Sequence, residues 1–155
     1  ISIDKKAEQV VQTDISDEKA IVPILVELNL ADTTELMNVK GIGAYYAREI
    51  VKFRESVGGF ATLEQLLEIK NMRPESYDRI SPFLTVNANL IRKININTAS
   101  VEYMRRHPYL NFYQAKAIYE FRRVKGNLKN IDELKRLSEF TDEDLEKLQP
   151  YFSFE

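Results

Sequence analysis

The residues best suited to chemistry are Gly41 and Gly43, with Ile42 between them and Lys40 directly before. Glycine permits backbone angles that other residues rarely adopt, so we expect a tight turn between two helices here, with Ile42 filling the gap between them. The second helix would begin at about Ala44, and the free N–H groups at a helix start form an anion site for which phosphate is a natural ligand. The pattern therefore predicts a phosphate-binding turn; the alternative is a tight turn without a ligand.

Basic side chains near this turn and near related turns extend the candidate site. Lys70 and Arg73 could supply side-chain charge where glycines are missing, and Arg105 and Arg106 precede the corresponding turn of the second half. For these residues, and for Lys52 and Arg54, the alternative is a solvated or ion-paired helix face. The predicted contact set is Val39, Lys40, Gly41, Ile42, Gly43, Ala44, Tyr45, Arg48, Lys70, Arg73, Arg105 and Arg106.

The composition excludes several kinds of chemistry. The chain of 155 residues has no Cys and one His, which removes thiol nucleophiles, disulfides and ordinary zinc sites. Its net charge of −2 is not that of a typical nucleic-acid binder. The charge is uneven, however: residues 92–129 carry nine Lys or Arg and two Asp or Glu, and residues 130–155 carry three and eight. This asymmetry fits either solvated helix faces or a local basic patch.

An internal repeat organises the elements that must position these residues. A shift of 68 residues aligns two halves without a gap, so that Tyr45 meets Tyr113 and Phe53-Arg54 meets Phe121-Arg122. We expect each copy to have its own core and the same order of four or five short helices. The predicted organisation is a linker or loosely docked segment at 1–22, a first repeat at 23–92 and a degenerate second repeat at 93–155.

The periodicity within each copy is helical. Gly58 and Gly59 should end the helix that follows the turn, Thr62 should cap the next, and Pro74 fits the first turn of a third. There is no sustained two-residue alternation, so we predict an all-α fold with essentially no sheet. Residues 85–95 should connect the copies, as the continuation of a helix through Leu90.

Each copy should contain two such turns, and the other three lack the glycine pair. They read Lys70-Asn71-Met72-Arg73, Pro108-Tyr109-Leu110-Asn111 and Ser138-Glu139-Phe140-Thr141. Three acids, Asp142, Glu143 and Asp144, follow the last one and should repel phosphate. The first turn is therefore the main candidate for ligand binding.

The first copy resembles the helix-hairpin-helix motif, in the tandem form found in ComEA-type competence DNA receptors. The family pattern of apolar residues, paired glycines and a small alanine is met at Leu36, Val39, Gly41, Ile42, Gly43, Ala47 and Ile50. The Asn-Thr-Ala lead-in of that family is matched by Asn97-Thr98-Ala99 and approximated by Leu28-Asn29-Leu30-Ala31. The resemblance covers about residues 26–84, with 94–152 as a degenerate copy.

The resemblance implies a fold and a function. The fold would be all-α, with two tandem double-hairpin repeats of the SAM-like, ComEA-like kind. The activity would be sequence-independent binding of double-stranded DNA through its phosphates, without catalysis or a small-molecule substrate. No cofactor is expected, although the motif class also implies a candidate monovalent cation at the Gly41–Gly43 turn. A periplasmic or membrane-anchored place in a bacterial envelope, in DNA uptake or handling, is favoured over the cytoplasm.

Three further expectations follow from the residues. The chain begins with Ile1 rather than Met, so we expect a processed or cut chain for which a signal or membrane anchor could lie upstream. The rival function is a protein-interaction scaffold that keeps the hairpin fold without binding DNA. The aromatic residues around the third turn should lie mostly in the core, with a partner surface as the alternative; they are Tyr109, Phe112, Tyr113, Tyr119 and Phe121.

Overall fold

The computed structural model describes residues 10–12 and 21–155, with side chains from Ile24 onward. Two strands, β1 (Val10–Gln12) and β2 (Ile21–Pro23), pair antiparallel. The linker or loosely docked segment predicted for residues 1–22 includes β1 and stays a prediction. The rest of that prediction lies outside the described residues.

The first repeat consists of short helical segments in the predicted order. Helix α1 (Thr33–Met37) begins at a capping box in which Asp32 and Glu35 satisfy each other's backbone N–H groups. Next come α2 (Ala44–Val57), a 3-10 helix at Leu63–Glu68, α3 (Pro74–Ile80) and a short 3-10 turn at Ser81–Phe83. The predicted cap at Thr62 and the predicted helix start at Pro74 are confirmed.

The second repeat has the same order of elements. Helix α4 (Val101–Met104) is followed by α5 (Phe112–Lys125), a 3-10 helix at Ile131–Arg136, α6 (Asp142–Leu148) and a 3-10 turn at Gln149–Tyr151. Both long helices have 14 residues and lie 68 positions apart. The all-α fold with two tandem units of about five helical segments each is confirmed.

A two-residue parallel ladder joins the ends of each repeat. In the first repeat, β3 (Val26–Glu27) pairs with β4 (Leu84–Thr85). In the second, β5 (Ile94–Asn95) pairs with β6 (Phe152–Ser153). The sequence did not predict these strands because two residues are too few to show an alternating pattern.

Each repeat has its own hydrophobic core, as predicted. Several matched positions are inaccessible to solvent in both copies, which means that the duplication preserves much of the packing. Six matched pairs are 0% exposed in both copies: Leu28 with Ile96, Leu36 with Met104, Ala47 with Ala115, Ile50 with Ile118, Leu66 with Leu134 and Ile80 with Leu148.

An asparagine clamps the same loop in each copy. The Asn29 amide donates to Phe60 O at 3.0 Å, and its oxygen accepts from Phe60 N at 2.6 Å. The Asn97 amide does the same with Leu128, at 2.8 and 2.7 Å. The asparagine that belongs to the family's lead-in is thus a structural residue, since it satisfies a buried backbone donor and acceptor together.

An arginine holds the same lead-in by its carbonyl groups. Arg54 Nη1 donates to Leu28 O at 2.8 Å and to Ala31 O at 2.6 Å, and Arg122 Nη1 donates to Ile96 O at 2.6 Å. Only 15% of the Arg54 side chain is exposed. Arg54 therefore belongs to the scaffold, although it also lies 3.6 Å from Glu55.

The segment between the repeats differs from the prediction. It contains a single 3-10 turn, Ala88–Leu90, rather than the continuation of a helix. The reason is Asn87, whose side chain accepts from Asn89 N and whose carbonyl accepts from Leu90 N. These bonds close a local turn and compete with a regular helix.

Contacts divide the chain into two compact units. The first runs to Glu55 and includes Phe60–Leu90, and the second combines Ser56–Gly59 with Ile91–Glu155. The predicted boundary at residues 92 and 93 stays a prediction. In the described part of the chain, no helix is both long and apolar enough to cross a membrane.

Candidate functional site

Four turns of one shape join the paired helical segments. In each, a backbone N–H donates to the carbonyl three residues earlier, at 3.0 to 3.2 Å. The four bonds run from Ile42 to Val39, from Met72 to Ile69, from Leu110 to His107 and from Phe140 to Leu137. Since the backbone geometry recurs, the turns differ mainly in the side chains that surround the following helix start.

The fold itself requires the first glycine of the first turn. Gly41 has φ +102°, and a Cβ placed there would lie 2.9 Å from Ile80 Cγ2. Val39 and Ile42 are 1% and 3% exposed, so their side chains fill the core as the sequence predicts for Ile42. Only their backbone atoms can contact a ligand.

The second glycine leaves the start of α2 open. Gly43 has no left-handed φ, and a Cβ placed there would meet no atom within 4 Å. Because Gly43 has no side chain, it cannot cap the helix, and the first N–H bonded inside α2 belongs to Ala47, which donates to Gly43 O at 2.9 Å. The N–H groups of Ala44, Tyr45 and Tyr46 have no hydrogen-bond partner among the described residues. They lie where the sequence predicts an anion site, which stays a prediction.

The second turn lies beside the first. Tyr46 OH donates to Asn71 O at 2.7 Å, and the Asn71 amide donates to Tyr45 OH at 3.2 Å. Asn71 has φ +69° and occupies the position that Gly41 has in the first turn. These bonds bring Lys70, which precedes Asn71, and Arg73, which lies two residues after it, to the same region as α2.

Several exposed cations surround the open helix start. Lys40, Arg48, Lys70 and Arg73 are exposed and form no ion pair within the described part of the chain, whereas Lys52 lies 3.5 Å from Glu49. The sequence did not predict a fifth exposed cation, Arg79, at this site. A Cβ placed on Gly41 would lie 3.2 Å from Arg79 Cδ. Arg79 is distant from the turn in sequence, and only the packing of α3 brings it there.

The start of α3 is a poorer candidate for an anion site. Arg73 makes no side-chain cap, but Pro74 at the first helical position has no N–H to offer. The helix has seven residues, and Glu75 lies in its first turn. The contribution of this turn would therefore come from side-chain charge.

Both corresponding helix starts in the second repeat are closed by their own side chains. Asn111 Oδ1 accepts from Gln114 N at 2.8 Å, and Gln114 Oε1 accepts from Asn111 N at 3.0 Å. Thr141 and Asp144 form the same capping box at α6, whose first turn is also acidic, as predicted. These boxes occupy donors that a phosphate would use.

The basic residues of the second repeat are partly engaged. Arg105 lies 3.4 Å from Glu102 and 5.7 Å from the ring centre of Phe112, and Arg106 is exposed without an ion pair in the described structure. Lys147, the counterpart of Arg79, lies 4.1 Å from the ring centre of Tyr109, the counterpart of Gly41. The second repeat thus has a cation–π contact at the positions where the first repeat has Gly41 and Arg79.

The prediction that the aromatic set lies mostly in the core is wrong. Phe112, Tyr113 and Tyr119 are 41%, 71% and 38% exposed, and only Tyr109 and Phe121 are half-buried. The aromatic residues follow one another so closely at the start of α5 that a single buried face of the helix cannot contain them all.

His107 is a structural residue. Its Nε2–H donates to Val57 O at 2.8 Å, and its Nδ1 accepts from Tyr109 N at 3.0 Å, which fixes the neutral tautomer. Burial lowers the pKa of His107 below its ordinary value, and Arg92 lowers it further, although the bond to Val57 acts in the opposite direction.

These features define a class of protein: a helical module built from paired helix–turn–helix units, in which one helix start leaves three backbone N–H groups without a partner among the described residues. The same segments match a family model. Residues 24–85 and 90–153 each match the helix-hairpin-helix motif, and the chain belongs to this family. The tandem resemblance predicted from the sequence is confirmed.

Curated relatives fall into several groups. ComE operon protein 1 of Bacillus subtilis (strain 168) is 32% identical over 62 residues, which are 40% of this chain and 30% of that protein. Protein YhgF of Escherichia coli (strain K12) is 28% identical over 126 residues, 81% of this chain and 16% of that protein. The Endonuclease/exonuclease/phosphatase family domain-containing protein 1 of Xenopus laevis is 24% identical over 145 residues, 80% of this chain and 26% of that protein.

The chain thus spans less than a third of the length of these relatives. No solved structure matches the chain significantly. The family match and the likeness to ComE operon protein 1 support a nucleic-acid partner.

Proposed function

We propose that the first repeat binds double-stranded DNA without sequence preference, through backbone phosphates at the start of α2. The observation that carries this proposal is the uncapped start of a 14-residue helix, with three N–H groups free and exposed cations around it. The N–H groups and the helix dipole both favour a negative ligand there. Contacts to phosphate carry no sequence information, which is why the binding is unspecific.

The side chains have separate roles in this proposal. Lys40 and Arg79 lie at the turn and supply charge to the phosphate on the helix start. Lys70 and Arg73 extend the contact to neighbouring phosphates, and Arg48 does so one turn along α2. Arg106 is a weaker candidate in the second repeat, and Arg105 is weaker still because Glu102 already engages it.

The cellular role that we propose is DNA handling or uptake at a bacterial envelope, with binding and no catalysis. The likeness to ComE operon protein 1 supports this role. The module would act as a DNA-holding part of a longer assembly, which agrees with the small share of each relative that it spans.

A monovalent cation is a further part of the proposal. The carbonyl oxygens of Lys40 and Gly41 accept no hydrogen bond within the described structure, so they are available as oxygen ligands for a cation. Such a cation would add positive charge beside the phosphate. Replacing potassium by a bulky organic cation at constant ionic strength should then weaken DNA binding, and unchanged binding would remove the cation from the account.

The test is fluorescence anisotropy with a random duplex of about 20 base pairs at about 50 and about 200 mM salt. We expect salt-sensitive binding that Lys40→Glu abolishes or strongly reduces. Lys52→Glu is the matched control: it makes the same change of charge on the same unit, but Lys52 is already engaged by Glu49. Absence of binding at the lower salt concentration, or equal effects of the two variants, would contradict the proposal.

A further inference from the structure

A groove of about 490 Å³ runs along the outer face of α5 in the second unit. Its apolar wall contains Val124, which is 68% exposed, and Tyr113, which is 71% exposed. Exposed apolar side chains gathered in one concave place are a feature of interaction sites. The groove is lined by Tyr113, Lys116, Ala117, Glu120, Phe121, Val124, Lys125, Leu137 and Glu139.

Comparison with the first repeat shows how the groove differs from an ordinary helix face. The counterparts of Ala117 and Val124 are Glu49 and Ser56, both polar. Glu49 pairs with Lys52 at 3.5 Å, so charged side chains cover that face of α2. The same positions on α5 are apolar, so polar side chains do not cover the equivalent face of α5 there.

A second change opens the end of the groove. In the first repeat, Tyr45 is bonded to Asn71 at 3.2 Å. Their counterparts are Tyr113 and Glu139, and the Tyr113 hydroxyl has no hydrogen-bond partner among the described residues. The ring of Tyr113 is therefore available to a partner.

The charges along the groove favour an acidic occupant. Lys116 and Lys125 lie nine residues apart on α5, a rise of about 13 Å, and neither forms an ion pair in the described structure. Between them, Glu120 is neutralised by Arg123 at 2.7 Å. Among the described residues that line the groove, only Glu139 remains as an uncompensated acid, so the two lysines leave the groove with a positive charge.

We propose that this groove binds an amphipathic helix of a partner protein, with apolar anchors one and two turns apart and acidic residues beside them. The apolar anchors would lie on Ala117, Phe121 and Val124, and the acids would meet Lys116 and Lys125. This is helix-in-groove recognition, in which the apolar face supplies affinity and the flanking charges set orientation. The second repeat would then hold a protein while the first holds DNA.

The test uses the full chain and two labelled synthetic peptides of about 16 residues, with Leu at i, i+3, i+4 and i+7. One peptide has Glu at its polar positions and the other has Lys. We expect the Leu/Glu peptide to bind and the Leu/Lys peptide to bind at least about tenfold more weakly. Failure of the Leu/Glu peptide to bind, or equal binding of both, would overturn the proposal.

Variants locate the binding on the groove. Ala117→Glu introduces the residue of the first repeat, which that scaffold accommodates, and should weaken the Leu/Glu peptide by at least about tenfold. Leu30→Ser is the matched control, since Leu30 is 69% exposed in the first unit; it should leave binding unchanged. Thermal unfolding checks that both variants are folded.

A second copy of the chain is a competing occupant of the groove, and its binding can be measured separately. Sedimentation of the chain alone, at increasing concentration, detects association between copies. A self-association that Ala117→Glu abolishes would assign the groove to a second copy and overturn the partner-protein proposal, whereas a monomer throughout supports it.

Discussion

The two long helices, α2 and α5, occupy the same place in their repeats, follow the same turn and have the same length, but they begin differently. Gly43 leaves the start of α2 uncapped, and its counterpart Asn111 closes the start of α5 with a capping box. The buried pairs, the asparagine clamps and the arginine bonds are common to both repeats. The two repeats therefore share one scaffold and differ at the exposed start of the long helix.

The absence of a side-chain cap at the start of α2 lowers the stability of the fold only slightly. An Asn cap contributes about 1 kcal/mol relative to Ala but only a few tenths relative to Gly. A glycine at this position thus leaves the donors available to a ligand at little loss of stability. The same position in the second repeat needs no such compromise if α5 binds no phosphate.

The largest effect should come from the shared scaffold. Ile50→Ala and Ile118→Ala each remove a fully buried side chain from equivalent places, so each should lower the free energy of unfolding of its unit by about 2–5 kcal/mol. Denaturant unfolding measures both. If one variant were destabilised and the other were not, the two cores would not be equivalent.

A smaller effect should separate the two glycines. Gly41→Ala places a Cβ 2.9 Å from Ile80 at φ +102°, so it should lower the free energy of unfolding by more than about 1 kcal/mol. Gly43→Ala meets no atom and should cost less, because it loses only the difference between Gly and Ala as caps. Equal losses of stability for the two variants would contradict the separate roles given to these glycines.

The smallest effect concerns His107 and pH. Its folded-state pKa lies below its unfolded value of about 6.5. Because the unfolded chain takes up the proton first, stability is full above this value and falls as the pH drops toward the folded-state pKa. The thermal midpoint should therefore fall between about pH 7.5 and about pH 5.5.

The control for this prediction is His107→Gln, which has no titrating ring. It should show a smaller fall over the same pH range, since the remaining decrease belongs to other groups. The same fall in both proteins would show that His107 does not carry the pH dependence.

The sequence alone predicted those structural features that individual residue types determine. The 68-residue shift predicted both cores and the order of helices, and the glycine pair predicted the start of α2. Asn111 and Gln114 have the spacing of a capping box, so the closed start of α5 could have been recognised as well. Arg79 could not, because only the packing of α3 against the turn brings it to Gly41.

Two other features were beyond pattern reasoning for physical reasons. The ladders that close each repeat are two residues long, so their pairing depends on the tertiary fold rather than on local alternation. The exposure of Phe112 and Tyr113 depends on which face of α5 the rest of its unit leaves uncovered. Aromatic type alone favours burial and gives the opposite prediction.

If the open start of α2 binds phosphate, Gly43→Asn should disrupt that binding, because it moves the capping residue of α5 to α2. In fluorescence anisotropy with random duplex DNA, this variant should bind at least about tenfold more weakly, while its thermal midpoint stays unchanged or rises. Asn111→Gly, the reverse change, should leave DNA affinity unaltered. A Gly43→Asn protein that is folded and binds DNA as tightly as the original chain would contradict the account.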